Sequence, residues 1–215
     1  MRQSIFLVLA ALLMLARGTA HASLFTVDAF SNSSTVGELP YTTPGVGVDT
    51  GIHFSAGEMF TVTVDPNDLW SAGALPRWSN ADGLTGPLYA TGTDESGQPA
   101  GTLIGKNWGL WTQGGLSAPF GTLVGQIGGT FFVLGSDFSG PAPASGILEL
   151  FYWDMNNYDN FGNIVADVDP PGEPVFGPRV ADVPEPASWI LLGLGLISLS
   201  AFARRATKRE AATKG

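Results

Sequence analysis

Across residues 23–168 no apolar stretch keeps a 3.6-residue period, and each is short and closed by glycine, proline, Asn or Asp. An amphipathic helix needs a sustained stripe, so this punctuation leaves strands and turns. The chain holds 29 Gly and 15 Pro in 215 residues, a supply of turn formers that suits sandwiches and jelly rolls. Phe25-Thr26-Val27-Asp28-Ala29, Phe60-Thr61-Val62-Thr63-Val64 and Ile164-Val165-Ala166-Asp167-Val168 alternate strictly, which predicts half-buried strands with one face in water. Ile52-His53-Phe54 and the strand starting at Met59 flank Ser55-Ala56-Gly57-Glu58, which reads as a hairpin-like turn. Residues 131–134 and 147–152 read as more fully buried strands, and Gly-rich loops are predicted at 73–86, 91–101 and 105–121. The prediction is an all-β fold, one antiparallel β-sandwich of jelly-roll-like form over residues 23–168, long enough for a core of its own.

The two ends read as addresses. Met1-Arg2-Gln3, the apolar residues 5–15 and the small-x-small Ala20-His21-Ala22 predict a signal peptide at 1–22. An exported domain could form disulfides, yet the chain has no cysteine, so packing alone must stabilise it. Residues 169–182 are proline-rich and predict a semi-rigid spacer. Then come Val183-Pro184-Glu185-Pro186, an uncharged run at 187–203, and Arg204-Arg205. That run has 17 residues, the short end of what a transmembrane helix needs, and the basic residues after it stay cytoplasmic and leave the domain outside. Two prolines flanking a carboxylate before a span have no packing purpose, because neither continues a helix. The pattern at 183–210 resembles the PEP-CTERM sorting signal. That resemblance implies recognition by exosortase, a membrane protease of Gram-negative bacteria that make exopolysaccharide. The expected itinerary is export, transient anchoring in the inner membrane, then the cell surface or extracellular matrix.

Residues 23–182 carry 3 Lys or Arg against 17 Asp or Glu, a net charge of −14. Such a surface argues against nucleic acid or anionic lipid and favours neutral sugars or divalent cations, with plain solubility as the alternative. His53 is the one histidine left after signal removal, and its place between Ile52 and Phe54 on a strand turns it toward solvent. Without cysteine or a second histidine, Cys-His catalysis and the usual zinc sites lack their parts. No acidic pair carries a glycosidase signature, so no enzyme is expected.

Asp154-Met155-Asn156-Asn157-Tyr158-Asp159-Asn160-Phe161-Gly162-Asn163 has six Asp or Asn in ten residues. Oxygen-rich loops of this kind suit calcium, which takes six to eight oxygen ligands. The loop is not an EF-hand, because Asp159 stands at the glycine position and Val165 at the terminal glutamate. A turn of residues that tolerate left-handed geometry is the alternative. The order of Asp49-Thr50-Gly51-Ile52, Ala56-Gly57-Glu58, Leu123-Val124-Gly125-Gln126-Ile127-Gly128, Phe131-Phe132-Val133-Leu134-Gly135 and Gly146-Ile147-Leu148-Glu149-Leu150 resembles the calcium-dependent galactose-binding bacterial lectins of the PA-IL type. The resemblance implies calcium held by Asp154, Asp159 and Asn160, with Asn156 beside them, and sugar hydroxyls on the metal's open positions. The segment between Asp154 and Asp159 is shorter than the lectin's. Of the tryptophans, Trp70 and Trp153 are expected in the core, whereas Trp108 and Trp111, beside Lys106 and Asn107, are candidates to stack on sugar. The expected function is an exosortase-sorted protein whose sandwich binds extracellular polysaccharide, with calcium as cofactor. A structural exopolysaccharide or biofilm-matrix protein without a specific ligand is the alternative, and a secreted hydrolase comes third.

Overall fold

The computed structural model describes residues 23–37, 40 and 43–169. The predicted signal peptide, the predicted spacer beyond Asp169, and the sorting segment with its predicted transmembrane helix lie outside the described residues. Among the described residues there is no helix, hence none long and apolar enough to cross a membrane.

In chain order the strands are β1 (Ser23–Asp28), β2 (Thr35–Val36), β3 (Thr43–Pro44), β4 (Val48–Phe54), β5 (Met59–Val64), β6 (Trp70–Ser71), β7 (Trp78–Ser79) and β8 (Leu88–Tyr89). They continue with β9 (Leu103–Gly105), β10 (Leu110–Gln113), β11 (Leu116–Pro119), β12 (Leu123–Ile127), β13 (Thr130–Val133), β14 (Asp137–Pro141), β15 (Gly146–Tyr152) and β16 (Asn163–Asp169). Two four-stranded antiparallel sheets form, β1-β16-β5-β14 and β13-β12-β15-β4, while the remaining strands pair two by two. Val27, Phe60, Val62, Val64, Ile164, Ala166 and Val168 of the first sheet share one apolar cluster with Phe54, Leu123, Ile127, Leu148, Leu150 and Tyr152 of the second. This two-layer core is consistent with a β-sandwich. Each fully buried aliphatic in it contributes roughly 1.5–3 kcal/mol over exposure.

The three alternating segments behave as their pattern requires. In β5 the apolar Phe60, Val62 and Val64 are buried while Thr63 is exposed, and in β16 Ile164, Ala166 and Val168 are buried while Val165 is exposed. His53 is exposed, as its strand position demands.

Other expectations are corrected. Ser55-Ala56-Gly57-Glu58 is not a hairpin: β4 pairs with β15 in one sheet and β5 with β14 and β16 in the other, so this turn crosses between layers. Residues 131–133 are less buried than expected, since β13 is an edge strand whose Phe131 and Phe132 are half-buried and whose Val133 is exposed, whereas Leu134 is buried in the core. Ile147 is also exposed, opposite His53, and β15 alternates up to Glu149, with Leu148 buried, before Leu150, Phe151 and Tyr152 are buried in succession. The Gly-rich stretch at 105–121 contains the β10–β11 hairpin, and the stretch at 73–86 contains β7.

Candidate functional site

β15 leads directly into the oxygen-rich loop, and the segment around β2 lies over it. Ser34 Oγ donates to Asp154 O at 3.1 Å and Ser33 Oγ to Asn156 O at 3.3 Å. Asn160 Nδ2 donates to Ala29 O and Asn156 O, at 3.1 and 3.0 Å, and Asn157 Nδ2 to Phe30 O at 3.0 Å. Ser33, Ser34, Asp154, Asn156 and Asn160 are all buried as a result. Burial of a polar group is costly unless a partner is found, so each unmatched atom here is informative.

Two such atoms exist in the loop. Asn156 Oδ1 and Asn160 Oδ1 are buried acceptors without a hydrogen-bond partner. With both Nδ2 bonds in place, turning the Asn160 amide over would forfeit them. Asp154 is strained in a related way. Burial pushes its carboxyl up to about 7, the Met155 amide at 2.6 Å pulls it back, and the charge of Asp159 adds to the rise. A carboxylate and two unmatched amide oxygens in one loop fit a hard, oxygen-seeking cation. Among the described residues no three His, Cys, Asp or Glu side chains form a metal-holding group, so any such ligand set must draw on amide and backbone oxygens.

Asp159 is already engaged. Arg77 Nη1 lies 3.0 Å from its Oδ2 and 3.1 Å from Ala72 O. Gly73 makes room for this pair: at φ +115°, a Cβ there would come 2.2 Å from Asp159 Oδ2 and 2.9 Å from Arg77 Nη1. Backbone pairing holds the pieces together. Ser71 of β6 exchanges hydrogen bonds with Phe161, at 2.7 and 2.9 Å, which clips the β6–β7 hairpin to the end of the loop. Arg77 forms a bridge with Gly105, the residue before Lys106.

On the far side of Arg77 stands Trp108. The Arg77 Cζ lies 4.8 Å from the ring centroid, Lys106 Nζ lies 4.8 Å from it as well, and the indole Nε1 donates to Pro76 O at 3.1 Å. The residue is 41% exposed. Trp111, three residues on, goes elsewhere: it is half-buried in a satellite cluster with Ala118, Val124 and Trp153, its Nε1 buried without a partner. Trp70 and Trp153 are fully buried, as expected.

The structure therefore joins the Asp154–Asn160 loop to Trp108 through Arg77, which sequence reading passed over. The signal was scarcity: Arg77 and Lys106 are the only Lys or Arg among the described residues.

No curated protein sequence matches the chain. Among solved structures it is similar to one described as an EclA N-terminal domain, a PllA-like lectin, with 22% identity over 68% of this chain and 93% of that one and a TM-score of 0.42. At the other end, residues 182–206 match the PEP-CTERM protein-sorting motif. The chain thus carries a PEP-CTERM sorting signal, which implies export, transient membrane anchoring and processing by exosortase.

Proposed function

We propose that the exported domain is a non-catalytic carbohydrate-binding module of the cell surface or extracellular matrix, and that calcium supports its binding surface. The observation that carries this reading is the convergence on Arg77 of an exposed indole and a buried, oxygen-rich loop. Trp108 supplies an amphipathic ring of the kind that packs on the apolar face of a sugar. Asp154, Asn156 and Asn160 would hold the cation, which would supply fixed positive charge and open coordination positions for hydroxyls. Asp159, spent on Arg77, orients that guanidinium beneath the indole. Ser33 and Ser34 fix the loop backbone from outside.

Glycan-array binding of the purified protein, with and without chelator, tests the proposal. Binding to a defined set of glycans that weakens in chelator and in Trp108→Ala is the expected result. Uniform failure to bind, with or without calcium, would leave a structural matrix role as the better account. C-terminal mass spectrometry of protein from exosortase-positive cells is expected to find a terminus near Pro184-Glu185-Pro186 rather than Gly215.

A further inference from the structure

Resting on the carbohydrate reading, we propose that the Trp108 surface selects a saccharide bearing an isolated carboxylate, such as a single uronic acid among neutral sugars, with Lys106 as the group that receives the charge. Net charge alone points the other way, because the domain is strongly acidic and repels anions at a distance. The distribution of that charge decides the matter. Arg77 and Lys106, the only cationic side chains of the described residues, both stand over one ring, each 4.8 Å from its centroid. Twice that distance is the most that can separate them.

Their states differ. Arg77 is neutralised by Asp159 and uses Nη1 for both of its hydrogen bonds, whereas Lys106 is exposed and has no ion-pair partner among the described residues. A neutral sugar stacking on the indole leaves the charge of Lys106 without a partner. A sugar carboxylate instead gains Lys106 as its counter-charge while the pyranose edge meets exposed indole. Lys106 is already gathered against the ring, so less of its rotamer freedom remains to be lost on binding.

The surrounding acidity limits how much charge the ligand can carry. Fields from exposed charges decay over roughly 8 Å at physiological salt. One carboxylate seated on Lys106 meets its counter-charge inside that range, but a contiguous polyanion must place its further charges on a domain whose described residues offer no second unpaired cation. The site thus discriminates by spacing of charge as well as by its sign.

Titration calorimetry of the full-length protein in detergent, with calcium, tests this with three probes: a glucuronyl-hexose disaccharide, its methyl ester, and heparin. The acid is expected to bind at least tenfold more tightly than the ester, with the advantage shrinking at high salt. Lys106→Gln should bring the acid down to the ester's affinity without lowering the melting temperature, and Lys106→Arg should keep the preference. Equal affinities for acid and ester, or a preference that survives Lys106→Gln, would overturn the charge selection while sugar binding itself stands. Heparin bound as tightly as the disaccharide would overturn it in favour of general polyanion capture. Loss of all saccharide binding, on a panel that includes neutral glycans, would remove the carbohydrate reading and this one with it.

Discussion

Between the two sheets, Phe54, Val62, Leu123, Leu148, Leu150 and Ile164 pack with no polar side chain to satisfy, whereas the loop after β15 buries Asp154, Asn156 and Asn160 under Ser33 and Ser34. Both regions are closed to water. The first gains from burial at every residue, while the second spends hydrogen bonds to offset it and leaves Asn156 Oδ1 and Asn160 Oδ1 unmatched. Apart from the Tyr152 hydroxyl, which is also buried without a partner, the core is therefore complete as it stands, whereas the loop has two unmatched oxygens that a further partner would complete. That difference separates a scaffold from a site.

The largest effect belongs to the scaffold. Leu150→Ala, at a fully buried position, should cost about 2–5 kcal/mol in denaturant unfolding, and added calcium should not alter the size of that loss. A calcium-dependent loss would mean the two regions are not independent.

Next comes pH. In the metal-free domain the Asp154 carboxyl titrates near 7 instead of 3.8, so the folded state holds its proton more tightly than the unfolded chain. Stability from this group is full below about 4 and falls as pH rises toward 7, by up to about 1.4 kcal/mol per pH unit. Melting across that window should show the slope, and Asp154→Asn should remove it. A slope unchanged in the variant would assign it to other carboxylates.

Calcium should act in the opposite sense to that loss. A ligand of the native state at a hundredfold excess over its Kd adds about 2.7 kcal/mol, a melting shift of several degrees in a domain of this size. Asp154→Asn should abolish most of the shift. Equal midpoints in chelator, calcium and magnesium would reduce the loop to a turn.

Smallest is the effect at Arg77. Its pair with Asp159 is about one-third exposed, so Arg77→Met should cost no more than about 1 kcal/mol of stability. Its consequence should appear at Trp108, whose indole fluorescence is expected to shift once one cation leaves the ring. Unaltered emission would show that Arg77 does not position the indole.

Strand alternation was legible because it records one-sided burial directly: the faces of β1, β5 and β16 followed from Phe25, Val62 and Ala166 with no knowledge of their partners. The layer crossing at Ser55–Glu58 was not, since a hairpin and a crossing have the same turn chemistry and differ only in which strands they join. Two-residue strands such as β6 and β7 are too short to carry any period. The loop's composition announced its oxygen atoms, but not Arg77, which meets Asp159 across 82 positions of chain. Nor could sequence alone separate Trp108 from Trp111, because local composition is shared and only the register of β10 with β11 turns one into a cluster.

β1 lies at an edge of its sheet and pairs with one strand, β16, in unbroken register from Ser23↔Val168 to Asp28↔Asn163. The earliest strand of the domain therefore waits for the latest. A chain threaded outward from its N-terminal end cannot close this sheet until residue 169 has emerged, so acquisition of the native state is tied to completion of passage rather than proceeding segment by segment. During that interval the apolar face of β1, with Phe25 and Val27, has no sheet to cover it.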